Sequence, residues 1–295
     1  MRSFEAFVAR KEAESARVAL SPFVTDVDER PADAVALGNA WSRRMFDGPF
    51  YVSPAPSPDL PATNLVFVQS RDGNTGAADP SSLGGGEADK HLIYEGLSRV
   101  AADAVLAGAE TVRNGNIVLS VWHPELVALR ESLGQPRHPI QIVATLRGLG
   151  LDGFLFNVPA LRVVLLTVGA CSDLMLTQLA DRPWVKVVSM PTAEDLPHGL
   201  RRLREMGVGR ISCIGGRTLA RQLIDARLIQ DLYLTKSPKV GGEPGTPLYP
   251  GALESGLIVR KRGTGPDEGV VFEHRQLLTT ELSTTDDTVD TEKES

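Results

Sequence analysis

The stretch Arg210-Ile211-Ser212-Cys213-Ile214-Gly215-Gly216-Arg217-Thr218-Leu219 decides the fold. A short apolar run stops at two glycines, and an amphipathic helical pattern over Leu219–Ala226 follows at once. That order reads as a buried strand turning directly into a helix. Adjacent glycines take backbone conformations closed to other residues and let a ligand come close to the main chain. The N–H groups of Arg217, Thr218 and Leu219, with no intrahelical acceptor, would face an anion placed there. Arg217 adds a positive charge and Thr218 a hydroxyl donor. The same pattern also makes an ordinary tight strand-to-helix turn, so taken alone it leaves both readings open.

Outward from this stretch the pattern repeats. Short apolar runs occur at Leu65–Val68, Ala104–Ala107, Ile140–Val143, Val163–Leu166, Val185–Val188 and Leu232–Leu234. Helical stretches at Ala88–Val100, Glu125–Leu133, Asp173–Leu179 and Leu196–Met206 lie between several of them. Buried strands alternating with helices predict an α/β fold: a largely parallel sheet covered on both faces. Near the end, Leu257–Lys261 and Val270–Gln276 are strand-like with only a glycine-rich link between them, which predicts an antiparallel hairpin.

Residues 1–61 read as an N-terminal extension. A helix is expected over Phe4–Val18, with Phe4, Phe7, Val8 and Val18 along one face, and a short one around Trp41, Met45 and Phe46. A proline-rich connector, Ser53–Pro61, leads into the main domain, residues 62–278. From Thr279 to Ser295 the Thr-, Asp- and Glu-rich composition predicts a disordered acidic tail. A chain of 295 residues with 42% hydrophobic and 23% charged content has the make-up of an ordinary globular protein. Its net charge of −6 argues against a broad electrostatic grip on nucleic acid. No run is apolar enough to cross a bilayer or to serve as a secretory signal, so a cytoplasmic protein is expected. Cys171 and Cys213 both lie in apolar sequence and read as buried free thiols.

Three other patterns fail on context. Gly148-Leu149-Gly150-Leu151-Asp152-Gly153 matches the dinucleotide fingerprint, but Phe154–Pro159 after it is not a helix that would open onto a pyrophosphate. A glycine-rich loop between strands is the better reading. His123-Pro124-Glu125 resembles half of a zinc deaminase motif, yet the closely spaced cysteine pair that would complete the metal site is missing. No metal site is expected, and Pro124 reads instead as the first residue of a helix. The serines lack a nucleophile-elbow setting.

A second glycine-ended run strengthens the first. Asp103–Arg113 carries the apolar stretch into Gly108, followed by Ala109, Glu110, Thr111, Val112 and Arg113. In sheets wound from both sides, ligands gather at the carboxyl ends of the strands. Gly108–Arg113, Gly215–Leu219 and Ser70–Asn74 are all expected along that edge. Glu110 and Arg113 read equally well as a solvated ion pair.

These motifs resemble the reductase domain of the bacterial bifunctional riboflavin-pathway deaminase-reductases, which has a dihydrofolate-reductase-like fold. The resemblance rests on Ser70-Arg71-Asp72-Gly73, Ala101–Arg113, Ile214–Leu219, Leu228–Thr235 and Gly241-Gly242, in that order, and covers about Asn64 to Gln276. It implies a three-layer sandwich and an NADPH-dependent reductase, with the paired deaminase domain absent. By resemblance, Gly215, Gly216, Arg217, Thr218 and Leu219 hold the pyrophosphate, and Gly108 and Thr111 also meet the cofactor. Thr145 and Arg147 are the candidates for the 2′-phosphate. The implied substrate is a pyrimidine carrying a ribosylamino phosphate, with Arg99, Asp72, Asn74 and Arg113 as candidate contacts. Arg99 equally suits a helix C-terminal cap. The proton donor is unassigned, with Asp72 and Glu110 as candidates. A homodimer is implied, and a sheet-edge hairpin at Val270–Gln276 would serve it.

The sequence departs from this family in three places. Asn74 stands where Lys or Arg is usual, Gly115 and Asn116 where an acidic pair is usual, and Ile214 where an acidic residue precedes the turn. The cofactor half of the motif is therefore kept and the substrate half altered. That leaves open a reductase of another pteridine or small heterocycle, or an NADPH-binding relative that does not catalyse.

Overall fold

The computed structural model describes residues 2–77, 80–113 and 117–277. Strands β1 (Val24–Asp28), β2 (Val35–Leu37), β3 (Phe50–Val52) and β4 (Ala62–Gln69) come first. They are followed by β5 (Ala104–Gly108), β6 (Ile140–Ala144), β7 (Val163–Val168) and β8 (Val185–Met190). The last four are β9 (Arg210–Cys213), β10 (Asp231–Lys236), β11 (Ser255–Arg262) and β12 (Val271–Leu277). Ten of them form one sheet in the order β1-β11-β12-β10-β4-β9-β5-β6-β7-β8. From β10 to β8 all neighbours are parallel, whereas β12, β11 and β1 are antiparallel additions.

The continuous apolar runs form the parallel strands because both of their faces are covered. Alternate residues of a strand point to opposite faces. In β4, Leu65 and Phe67 join one core, with helices α8 (Leu196–Glu205) and α9 (Arg217–Asp225). Val66 joins the other, beneath α5 (Pro124–Ser132) and a π-helix, Asp89–Leu97. Further along that second face, α1 (Arg2–Ala16), α6 (Phe154–Asn157) and α7 (Gly169–Gln178) cover β6, β7 and β8. Each fully buried Leu, Val or Phe in these cores contributes about 1.5–3 kcal/mol of burial free energy.

The first sixty-one residues are more than a helical extension. Besides α1 and α2 (Ala40–Met45) they supply three strands, and β1 pairs with β11 in the main sheet. The extension is also tied down by buried polar groups. Asp231, at the start of β10, accepts from the Ser53 hydroxyl at 2.7 Å and the Ser53 N–H at 3.1 Å, and meets His274 Nε2 at 2.8 Å. Lys261 of β11 is almost wholly buried and donates to Thr25 Oγ1 at 2.7 Å. Burial lowers its pKa to about 8.

Several expectations change. The hairpin is not a sheet edge: β12 lies between β10 and β11, and β1 covers β11. It therefore offers no open edge to a second copy. Cys171 is only partly buried, although Cys213 is fully so, and burial pushes the Cys213 thiol up to about 12. Residues 154–157 do make one helical turn, which buries Leu155 and Phe156 in the core. The sequence between Ala88 and Val100 is helical as expected, yet after α3 (Gly86–Ala88) it winds as a π-helix. Pro124 does open α5. Gly115, Asn116 and the predicted tail 279–295 lie outside the described residues.

Candidate functional site at the carboxyl edge of the sheet

The turn after β9 is built by two glycines doing different work. Gly215 has φ +101°, and a side-chain carbon there would fall 2.7 Å from the Phe67 ring. Gly216 has φ +66° and nothing within 4 Å of where its Cβ would be, so it faces open space. The Ile214 N–H donates to the Leu106 carbonyl at 3.0 Å, and the Gly108 N–H to the Gly215 carbonyl at 3.1 Å. The ends of β9 and β5 are thus locked side by side. The Ala220 N–H is bonded to the Gly216 carbonyl at 2.9 Å, leaving the N–H groups of Arg217, Thr218 and Leu219 free of intrahelical acceptors. Gly216, Arg217 and Thr218 are exposed. An exposed glycine, three N–H donors without an intrahelical acceptor and a guanidinium at a helix start suit a phosphate group.

Ser70–Asn74 lies at the end of neighbouring β4 and is clamped to the loop after β10. Ser70 Oγ donates to Asp72 Oδ1 at 2.8 Å, the Gly241 N–H to the same oxygen at 3.1 Å, and Asn74 Nδ2 to Asp72 Oδ2 at 2.9 Å. The bonds from Ser70, first, and the Gly241 N–H hold the Asp72 carboxyl below its ordinary range. Asp72 is therefore a carboxylate at neutral pH and has no proton to give. Buried Asn74 also donates to the Gly241 carbonyl at 3.1 Å and receives the Thr246 N–H at 3.3 Å. Both residues shape the rim of the edge.

The remaining candidates separate. Gly108 touches the turn, and Thr111, half-buried on α4 (Ala109–Arg113), follows it. Glu110 is exposed and pairs with Arg113 at 2.9 Å, the solvated pair foreseen as one of two readings. Buried Thr145 spends its hydroxyl on the Gly148 carbonyl at 2.9 Å, while Arg147 is exposed and has no ion pair among the described residues. Arg99 is buried: Nη1 donates to the Ser120 carbonyl at 3.2 Å and its guanidinium lies 5.7 Å from the Tyr94 ring centre. Its Nε has no hydrogen-bond partner among the described residues, and burial lowers its pKa.

One residue escaped the sequence reading. Asp89, at the start of the π-helix, is 6% exposed and accepts a short hydrogen bond from Thr235 Oγ1. Burial first, with Asp267 nearby, raises its pKa to about 7 against the pull of Thr235. The register places it towards the same carboxyl edge as the turn: Thr235 pairs with Val68, three residues beyond Leu65, which pairs with Cys213 at the end of β9. Tyr94 on the same helix is half-buried and reaches the Val68 backbone. The signal was an acid on an apolar stripe, one turn before Leu92 and Ile93. π-Helices are rare and concentrate at functional sites.

A groove of about 750 Å³ lies elsewhere, beside edge strand β8, four strands beyond β9, lined by residues such as Leu176, Val187 and Met206. It contains none of the groups above, so volume alone is a poor guide here.

The family model of the RibD C-terminal domain matches residues 61–263. No curated protein matches the chain. Among solved structures it is similar to a pyrimidine reductase-like protein of Corynebacterium diphtheriae, at 22% identity and a TM-score of 0.62 over 75% of this chain and 93% of that one. RibD of Acinetobacter baumannii follows at 19% identity and TM-score 0.54, with 75% of this chain and 59% of that one covered. A riboflavin biosynthesis reductase of Saccharomyces cerevisiae gives 17% identity and TM-score 0.52 over 75% and 91%. At these identities the structures share the fold.

Proposed function

The chain belongs to the RibD C-terminal domain family, and from that premise we propose that it is an NADPH-dependent reductase of a pyrimidine riboflavin precursor, of the 5-amino-6-(5-phosphoribosylamino)uracil reductase type. The observation that carries this reading is the Gly215–Gly216 turn, open at Gly216 and followed by three unused helix donors. Exposed N–H groups at a helix start beside a guanidinium are the donors a pyrophosphate requires. Gly215, Gly216, Arg217, Thr218 and Leu219 would hold it, Gly108 and Thr111 would line the cofactor at the end of β5, and Arg147, which has no ion pair among the described residues, would meet a 2′-phosphate.

When bound, the nucleotide supplies the hydride. The protein's own part is to orient and to keep a proton at hand. Asp89 suits the second task, because a carboxyl with a pKa of about 7 remains substantially protonated at neutral pH. Asp72 and Glu110 do not: one is held ionised and the other is paired at the surface. Tyr94, Arg99 and Ile214 stand on the substrate side, with Asn74 at the rim.

A second reading, reduction of another pteridine or small heterocycle, is favoured by Ile214, half-buried where the family carries an acid. The decisive measurement is NADPH oxidation by the purified protein with the phosphoribosylamino-pyrimidine and, in parallel, with dihydrofolate. Turnover of the first alone supports the riboflavin reading, and turnover of the second alone overturns it. Cofactor binding with no oxidation of either would mark a relative that no longer catalyses. Absence of any NADPH binding by calorimetry at millimolar cofactor sinks all of these readings.

A further inference from the structure

The loop after β10 is fixed to the β4 side of the edge almost entirely through its backbone. The Glu243 N–H donates to the Gly76 carbonyl at 2.7 Å, and the Thr246 hydroxyl donates to the Glu243 carbonyl at 2.6 Å. Thr75 N–H reaches the Thr246 carbonyl at 2.8 Å, and Gly241 is held by Asp72 and Asn74. The backbone of Glu243 is therefore anchored, while its side chain is not. That side chain crosses from the β4 side to the start of α9, where Oε2 accepts from Arg217 Nη2 at 3.2 Å. The two side chains are 59% and 41% exposed, so water screens the pair and it opens easily.

This places a tethered carboxylate on the guanidinium that begins the helix, beside the unused N–H groups of the turn. A negative charge near a helix N-terminus is favourable whether it comes from a ligand or from the chain. We propose that Glu243 is an internal competitor for the anion seat: it occupies Arg217 in the free protein and must release it when the diphosphate of a dinucleotide arrives. This rests on the reading of the Gly215–Gly216 turn as the cofactor's seat. The strap sets how tightly the nucleotide is held, and hence how readily it leaves.

The test is calorimetric titration of the full chain with NADPH and with NADH, in wild type, Glu243→Gln, Arg217→Gln and the double variant, at low and at high salt. Glutamine keeps the shape of the side chain against Gly76 and removes only its charge. Glu243→Gln is expected to bind NADPH roughly three- to tenfold more tightly at low salt, with a gap that narrows as salt rises. Arg217→Gln is expected to bind more weakly, and in that background Glu243→Gln should change affinity less than about twofold, because the contested group is gone. Equal melting temperatures of the variants would establish that the fold is intact. Unchanged or weaker binding by Glu243→Gln, with wild-type binding intact, overturns the competitor while leaving the cofactor seat standing. No binding of either nucleotide by wild type or Glu243→Gln overturns the seat itself.

Discussion

Strand β10 has a buried carboxylate at each end, and the two are treated in opposite ways. At its start, Asp231 is surrounded by the Ser53 hydroxyl, the Ser53 N–H and His274. Burial alone would raise its pKa, but the charge and hydrogen bond of His274, together with Ser53, bring it below the ordinary value. At its finish, Asp89 has the Thr235 hydroxyl as a partner and Asp267 as an unfavourable neighbour, and its pKa rises to about 7. Equal burial thus gives a permanent anion in one place and a proton reservoir in the other. The difference lies in the partners. One arrangement fastens the N-terminal extension to the sheet, and the other stands at the carboxyl edge where chemistry is proposed.

The comparison can be broken in four ways. Asp89→Asn should lower turnover about a thousandfold if this carboxyl supplies the proton. Wild-type rates should fall as pH rises through about 7, and the residual rate of the variant should lose that limb. Steady-state NADPH oxidation across neutral pH measures both.

Asp231→Asn should cost about 3 kcal/mol in urea unfolding, because it removes one partner of a buried pair. The two carboxylates then carry opposite pH signatures. Asp231, with its pKa lowered by folding, contributes stability that is present above the ordinary carboxylate range and lost as pH falls through its folded value. Asp89, with its pKa raised, contributes stability that is present below the ordinary range and lost as pH rises towards about 7. Above neutral pH, Asp89→Asn should therefore be more stable than wild type, by roughly 1–3 kcal/mol. A destabilised Asp89→Asn at that pH would contradict the assignment.

Thr235→Val sharpens the same point at smaller scale. Removing the hydroxyl should push the Asp89 pKa further up and move the falling limb of the rate to higher pH. The fold should lose about 1 kcal/mol. Glu110→Gln is the small end of the series: its exposed pair with Arg113 should be worth less than about 0.5 kcal/mol in unfolding. Turnover should be unchanged in that variant.

Much of the parallel half of the sheet is legible in the sequence, because strands buried on both faces read as nearly continuous apolar runs. Leu65–Val68 and Ile211–Cys213 could hardly be placed elsewhere. The Gly215–Gly216 turn is legible for a related reason, since its backbone angles and its contact with Phe67 exclude side chains. Strand β1 is not. Val-Thr-Asp-Val-Asp has a single strand neighbour and leaves much of itself in solvent, so nothing local demands a strand. It forms because β11 offers an edge. The burial of Arg99 and the use of Thr145 within its own loop likewise depend on neighbours distant or conformational, which spacing does not encode. Asp89 was readable in principle, as a charge on a helix stripe that has to face the core.

The pairing of β1 with β11 also sets a timetable. Thr25 and Lys261, which meet there, are separated by 236 residues of chain. During synthesis at about 5–20 residues per second, the first strand would wait roughly 10–50 seconds before its partner has been made. The edge of the sheet is thus closed only when the later-made of the two strands meets the earlier. Refolding of the intact protein should show a slow phase in which Lys261 becomes protected after the parallel strands are already in place.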